Sequence, residues 1–381
     1  MEGQDYDLLV QIRKELHKFP ELSGSEQRTS GFVSDYLQSL SPDEFITGLG
    51  GHGLAAGFRG TAPGPRIMVR AELDALPINE TNDFGHKSAN PGVSHKCGHD
   101  GHMAVALGIA RRFAAEKPRE GEVVVLFQPA EENGRGARAV VNDPRFVRIE
   151  PGFIIAMHNL PGFERHEIIL REDVFAAASE GLIVRLRGKT SHASEPENGV
   201  SPAPALSRIL QELPALAGGA SPGGFTQATV IHARLGEIAF GTNPGEAVVM
   251  ATLRAFDREI MEELKTRAEQ LVRDIATAEK LGISIEWTDM FPATGNDPHL
   301  VSLANETAGL LGYTARIMHD PFRWSEDFGW FTGKYRGMLF GIGAGSGHPE
   351  LHSPDYDFPD EIIPTGVTFI GELCRKLLKE G

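Results

Sequence analysis

The sequence predicts an α/β fold with a mixed, mainly parallel sheet, into which a second α+β unit is inserted. Three observations lead there. Over residues 1–171, short apolar runs bounded by Gly and Pro alternate with helical patterns. Near residue 172 the order changes to strand, helix, strand, strand, helix, strand, closing near residue 287. From residue 288 the strand, helix and strand pattern returns, so residues 1–171 and 288–381 should form one domain interrupted by 172–287.

Each element has its own signal. Leu8, Leu9, Ile12 and Leu16 recur at helical spacing, and Pro20 interrupts that helix. A second helix should run from Ser25 to Leu40. Leu54–Phe58 and Arg66–Arg70 are apolar runs between Gly and Pro, which suits strands. Ala104–Ala115 is helical, and Val123–Phe127 (VVVLF) and Gly152–Met157 read as buried strands. The inserted unit reads as strand Gly181–Arg187, helix Ser201–Leu213, strands Gln227–Arg234 and Ala247–Phe256, helix Arg258–Leu281 and strand Ile283–Trp287.

Composition excludes several functions. Of 381 residues, 41% are hydrophobic and 23% charged, as in a soluble globular chain of two or three domains. The net charge of -15 opposes nucleic acid or an anionic membrane as partner. No apolar run reaches the ~18 residues of a membrane span. Cys97 and Cys374 are too few for a disulfide framework. The stretch MEGQDYDLLVQIRKEL has acids and no apolar signal core, so a cytoplasmic location is expected.

The chemistry concentrates in His95-Lys96-Cys97-Gly98-His99-Asp100-Gly101-His102. Its glycines let the backbone bend so that neighbouring side chains converge, and a thiolate with an imidazole suits zinc or a similar ion. One isolated His or Cys is usually structural; this cluster is not isolated. The strand VVVLF runs into Glu131-Glu132, and sites in parallel sheets lie beyond the carboxyl ends of strands. One carboxylate there could bind metal while the other serves as general base. A bare Glu-Glu pair is more often an exposed turn. The next strand, GFIIAM, leads into His158. His348 and His352 follow a Gly-rich stretch, and spacing does not choose between them. Asp74 could fix the tautomer of a ligand imidazole or simply cap a turn.

Together these segments resemble the aminoacylase and hippurate hydrolase family. That family includes the plant auxin-conjugate amidohydrolases and belongs to the clan of carboxypeptidase G and succinyl-diaminopimelate desuccinylase. The resemblance runs from Leu16-His17-Lys18-Phe19-Pro20-Glu21-Leu22-Ser23 through Asp74-Ala75-Leu76-Pro77, the Cys97–His102 core, Phe127–Glu132 and His158. It ends at Glu326-Asp327-Phe328 and Leu351-His352-Ser353-Pro354. It implies a zinc-peptidase-like catalytic domain and a ferredoxin-like lid and dimerisation domain. It implies two divalent metal ions held by Cys97, His99, Glu132, His158 and His352, with His352 chosen over His348 and Cys97 in the bridging place. Glu131 is then the general base. His192, reaching the site of the partner subunit in a homodimer, polarises the scissile carbonyl. Arg254 contacts the substrate carboxylate.

Three departures stand out. Gly241 occupies the place of a family Asn, which makes Asn243 the candidate replacement. Thr190-Ser191-His192 replaces Gly-Gly-His, and Glu72 stands where Asp is common. The implied activity is metal-dependent hydrolysis of the amide bond of N-acyl amino acids or small dipeptide-like substrates. A dedicated deacylase of a biosynthetic intermediate such as N-acetyl-diaminopimelate, and a true dipeptidase or carboxypeptidase, are the enzymatic alternatives. A catalytically silent metal-binding module is the alternative of another class. Zinc, manganese, cobalt and nickel all suit such mixed ligands.

Overall fold

The computed structural model describes residues 3–218 and 224–380. The chain divides into two compact units. The first comprises Met1–Phe175, Thr294–Pro321 and Glu326–Gly381; the second comprises Ala176–Ala293 and Phe322–Ser325.

The first unit is built on an eight-stranded mixed sheet. Its first six strands are β1 (Glu44–Leu49), β2 (Gly53–Arg59), β3 (Ala62–Glu72), β4 (Glu120–Gln128), β5 (Phe153–Pro161) and β6 (Ile168–Leu170). The order across the sheet is β1, β2, β4, β3, β5, then Arg336–Gly345, β6 and Ala315–Ile317. The four central strands β4, β3, β5 and Arg336–Gly345 are parallel. Centrality explains their composition, because a strand covered on both faces reads as an unbroken apolar run. Val123, Val124, Val125, Leu126 and Phe127 are all fully buried.

Three helices matter for the site: α1 (Gly3–Lys18), α2 (Gln27–Ser39) and α3 (His99–Ala115). Proline 20 stops α1 as expected, since it could neither donate to nor fit the next turn. The helix α3 begins at His99, five residues ahead of its expected start at Ala104. Gly98, in a left-handed conformation (φ 90°), is its N-cap. Glycines at 98 and 101 hid that first turn from a propensity reading. The helix is apolar on nearly all sides because α1 and helix Ile363–Leu377 pack on it. The strand β1 was not anticipated; its alternation is broken by a bulge at Thr47/Leu49.

The second unit has its own core, including Leu182, Val184, Ile209, Val249, Leu253, Leu264 and Val272. Strands Ala178–Arg187, Thr226–Leu235, Glu246–Ala255 and Gly282–Phe291 form an antiparallel sheet. The order is second, third, first, fourth, with helices Ala203–Ala215 and Arg258–Ala278 packed on it. This is the split β-α-β-β-α-β pattern of ferredoxin-like units. Strand Gly282–Phe291 runs past Trp287 because it stays paired with Ala178–Arg187 out to Phe291 opposite Ser179.

Candidate metal centre

The carboxyl ends of adjacent parallel strands supply the site. Asp74 follows β3, Glu131 and Glu132 follow β4, and His158 lies within the last turn-facing residues of β5. His352 follows strand Arg336–Gly345, and Cys97 and His99 lead into α3. The ligand atoms of Cys97, His99 and His158 lie within 4.8 Å of one another, as do those of Cys97, Glu132 and His352. A third such group is His99, Glu131 and Glu132. Cys97 is common to the first two. Its Sγ is 3.5 Å from His158 Nε2, and His352 Nε2 is 3.9 Å from Glu132 Oε2.

Local backbone makes this convergence possible. A side chain at Gly98 would overlap the Asn159 amide, so only glycine permits the turn between Cys97 and His99. Ala130 (φ 51°) and His352 (φ 64°) adopt left-handed conformations that cost a non-glycine residue about 1 kcal/mol or more. The His352 N–H donates to the Lys96 carbonyl at 2.7 Å, which joins the His352 loop to the Cys97 loop. His348 Nε2 instead meets the Asp357 carbonyl at 2.6 Å.

The imidazoles are oriented from behind. His99 Nδ1 donates to the Asp74 carbonyl at 2.9 Å, and His158 Nδ1 to the Asn159 carbonyl at 2.8 Å. That assignment turns both Nε2 atoms toward the centre. Asp74 therefore orients His99 through its main chain. Its Oδ2 accepts from the Glu132 N–H at 3.0 Å and the Ser23 hydroxyl at 2.7 Å.

The site is short of positive charge. Glu72, Asp74, Glu131, Glu326 and Asp327 are buried, and Glu132 is nearly so. Among the described residues their one permanently charged cationic partner is Arg70, which binds Glu72, Gln128, Glu326 and Asp327. That charge balance shifts the proton affinities of the site. Burial, then Glu326 and Glu132, pushes Glu131 well above the usual carboxylate range. Burial raises Glu132 to about 7 and Asp327 to about 8. Burial followed by Glu132 and Glu131 raises the Cys97 thiol. Burial opposes charge on His99, but Glu72, Glu132 and Asp74 outweigh it and raise it to about 9.

Divalent cations fit this environment. Among the described residues, His99 Nε2, Glu132 Oε1 and Asp74 Oδ1 are buried with no hydrogen-bond partner, and His99 and Glu132 each belong to a group that includes Cys97. Buried polar atoms normally find partners, and a buried anion excess calls for a compensating cation. The donor set of thiol, imidazole and carboxylate suits borderline ions.

The second unit holds the remaining candidates. His192 is exposed, with Nδ1 2.7 Å from Ser194 Oγ, and its two-residue strand pairs with Thr242–Asn243. Asn243 Nδ2 donates to Ser191 Oγ at 3.1 Å and to the Pro196 carbonyl at 3.4 Å. The half-buried Arg254 donates to the Arg323 carbonyl at 3.0 Å and Ser325 Oγ at 2.7 Å. Burial lowers its pKa.

Sequence reasoning gave several supporting residues no role of their own. Arg70 lies inside the central strand β3, among buried apolar residues, and a charged residue there must be paired. His102 is held between Glu72 Oε2 (2.7 Å) and Asn159 Oδ1 (2.9 Å). His17 lies between Asp100 Oδ2 (2.8 Å) and Glu80 Oε1 (2.9 Å). A His in the last turn of an amphipathic helix was the available signal for His17.

Comparison with known proteins agrees with this geometry. The chain is 28% identical to the IAA-amino acid hydrolase ILR1-like 4 of Arabidopsis thaliana, over 98% of this chain and 87% of that protein. It is 30% identical to an N-acetyldiaminopimelate deacetylase of Geobacillus thermodenitrificans, over 90% of this chain and 91% of the relative. The crystal structure of the Bacillus subtilis YXEP protein, described as a dinuclear metal binding peptidase, superposes with a TM-score of 0.83. It shares 25% identity, with 99% of each chain covered. The sequence model of peptidase family M20/M25/M40 matches residues 68–376, from the middle of β3 to near the end of the last long helix, and the chain belongs to that family.

Proposed function

We propose that this chain is a dinuclear-metal amidohydrolase that removes the acyl group from N-acyl amino acids or small dipeptide-like amides. The observation that carries the reading is the buried Glu131 carboxyl beside two ligand groups that share Cys97. Cys97, His99, Glu132, His158 and His352 would hold two divalent ions, zinc, manganese, cobalt or nickel, with Cys97 between them. Such a pair supplies Lewis acidity, polarising a carbonyl and lowering the pKa of water from 15.7 toward ~7.

Glu131 does the proton work. Its raised affinity for a proton suits a base that must also return that proton. The Asp327 N–H donates to Oε1 at 3.2 Å and orients the carboxyl. Oε2 is 4.0 Å from His99 Nε2, on the side of the ligand atoms, and is the atom that takes the proton from water and passes it to the leaving amine. His192 of one subunit polarises the carbonyl bound by the other. Asn243 shapes the His192 loop and, with Arg254, the substrate side of the second unit.

Arg254 binds the substrate carboxylate. Among the described residues no carboxylate forms an ion pair with it, although it is half-buried. Replacing Arg254 with Met should raise KM roughly 10–100-fold, the worth of one charged hydrogen-bonded pair, with a smaller change in kcat. Steady-state kinetics on an acid and its neutral amide check this; equal losses on both would remove the role.

The homodimer is supported by an apolar edge. Strand Thr226–Leu235 is an edge of its sheet, and Ile231, Leu235, Ile238 and Phe240 are exposed along it and the turn that follows. Ile238→Lys with Phe240→Glu should shift the sedimentation coefficient from dimer to monomer. A wild-type chain that sediments as a monomer would end the proposal. A cytoplasmic location belongs to the same reading, supported by two buried, unbridged cysteines. Among the described residues no helix is long and apolar enough to cross a membrane.

The deciding experiment uses chelator-treated protein refilled with zinc, manganese, cobalt or nickel. It is tested on acetyl-, benzoyl- and indoleacetyl-amino acids, N-acetyl-diaminopimelate and dipeptides. Metal-restored cleavage of one class establishes the activity and its substrate. Two bound ions per chain with no cleavage across the panel would instead favour a silent binding module.

A further inference from the structure

We infer that Glu26 is a positioning residue for the turn that carries Glu131 and Glu132. Glu26 is completely buried, and among the described residues no cation pairs with it. A buried carboxylate without a cation needs a reason. Helix capping is the ordinary one, and it does not apply. Glu26 stands at the N-cap of α2, yet its side chain makes no cap bond. Glu21 does that work, accepting from the Arg28 N–H at 3.2 Å and the Thr29 N–H at 2.8 Å.

The Glu26 carboxylate reaches the other way. Oε1 accepts from the Gly24 N–H and from the Ala130 N–H, each at 2.8 Å. Ala130 is the left-handed residue immediately before Glu131. Its carbonyl accepts from the Gly136 N–H at 2.9 Å, and the Glu131 carbonyl from the Gly134 N–H at 2.8 Å. Two residues on, the Glu132 N–H is held by Asp74, which Ser23 also binds. The segment Ser23–Glu26 thus grips the turn on both sides of Glu131, once directly and once through Asp74. Without the Glu26 bond, Ala130 keeps an unfavourable φ and loses its N–H partner. The turn would relax toward an ordinary conformation and re-aim the next two carboxylates.

This rests on the amidohydrolase reading for its kinetic readout but not for its spectroscopic one. The variants are Glu26→Ala, Glu26→Asp, which is one methylene too short, and Glu26→Gln, whose Oε1 can still accept both N–H groups. Each is loaded with cobalt, and its visible absorption spectrum is recorded without substrate. Kinetics follow on the best substrate of the panel. The expected result for Glu26→Ala and Glu26→Asp is two ions per chain and an altered cobalt spectrum. Their kcat should fall about 10–100-fold, the size of effect a ~1 Å misplacement produces, with KM nearly unchanged. Glu26→Gln should restore the spectrum and most of kcat. Should Glu26→Ala fail to fold, Glu26→Asp carries the comparison. An unchanged cobalt spectrum in the Ala or Asp variant overturns the inference. So does a Gln variant as impaired as Ala. If the wild type cleaves nothing on the panel, the functional reading fails while the spectra still decide the role of Glu26.

Discussion

The Glu131→Gln variant should bind its two ions and lose turnover by about 10²–10⁴-fold, the range removed with a general base. Glutamine has the same shape, and its Oε1 can still accept the Asp327 N–H that now orients Glu131. What it cannot do is hold and return a proton. The proposed metal ligands are untouched, so metal analysis should give the wild-type ratio. KM should change little, because the carboxyl acts on the proton rather than on the ground-state amide. Retention of metal also separates this outcome from collapse of the site. Activity within a few-fold of wild type would move the base elsewhere, and Glu132, which lies in the same cluster, would be next.

The His17→Leu variant should lose stability by about 3–5 kcal/mol, the usual cost of removing one partner from a buried ionic cluster. His17 is fully buried and bonded on both nitrogens to carboxylates, Asp100 and Glu80. Around it, Arg13 binds Asp100, Asp357 and Asp360, and Lys96 binds Glu80 at 2.5 Å and the Tyr356 carbonyl at 2.6 Å. Leucine there leaves Asp100 and Glu80 without their shared cation. Burial alone would neutralise His17, but Asp100 and the hydrogen bonds His17 donates to Asp100 and Glu80 raise its pKa to about 9. Its free value lies near 6.5. The charged form is the bonded form, so the stabilisation is complete below about pH 6.5 and disappears as pH rises through about 9. Thermal unfolding of the metal-free chain should therefore show a midpoint falling across that window, and the fall should flatten in His17→Leu. A variant as stable as wild type, with the same pH profile, would mean that His17 is neutral in the folded chain.

The residues proposed as ligands stand out in the sequence because metal chemistry draws on few residue types and places them at strand ends. Cys97, His99, Glu132 and His158 each follow or enter an element that the apolar pattern makes visible. The supporting network was not legible, and the reason is distance along the chain. Arg70 meets Glu326 256 positions away, and Arg13 meets Asp360 347 positions away. No local periodicity records such partners. Buried central strands announce themselves by composition, as VVVLF does. The edge strand β1 does not, because only Ile46 and Leu49 of its six residues are buried and a bulge breaks its period. The start of α3 was missed for a related reason. Gly98 and Gly101 weaken helix propensity, and Gly101 is there because Phe358 occupies the space a side chain would need.

The order of strands in the first unit also sets an order of events on the ribosome. Strand Arg336–Gly345 lies between β5 and β6, yet it is synthesised more than a hundred and fifty residues after them. Until it emerges, β5 and β6 present open backbone and buried-type side chains to whatever is nearby. The second unit has nearly all of its strands in one contiguous stretch, Ala176–Ala293, and can complete its sheet first. A nascent chain stalled before Arg336 should therefore carry a protease-resistant second unit on a first unit that chaperones still hold.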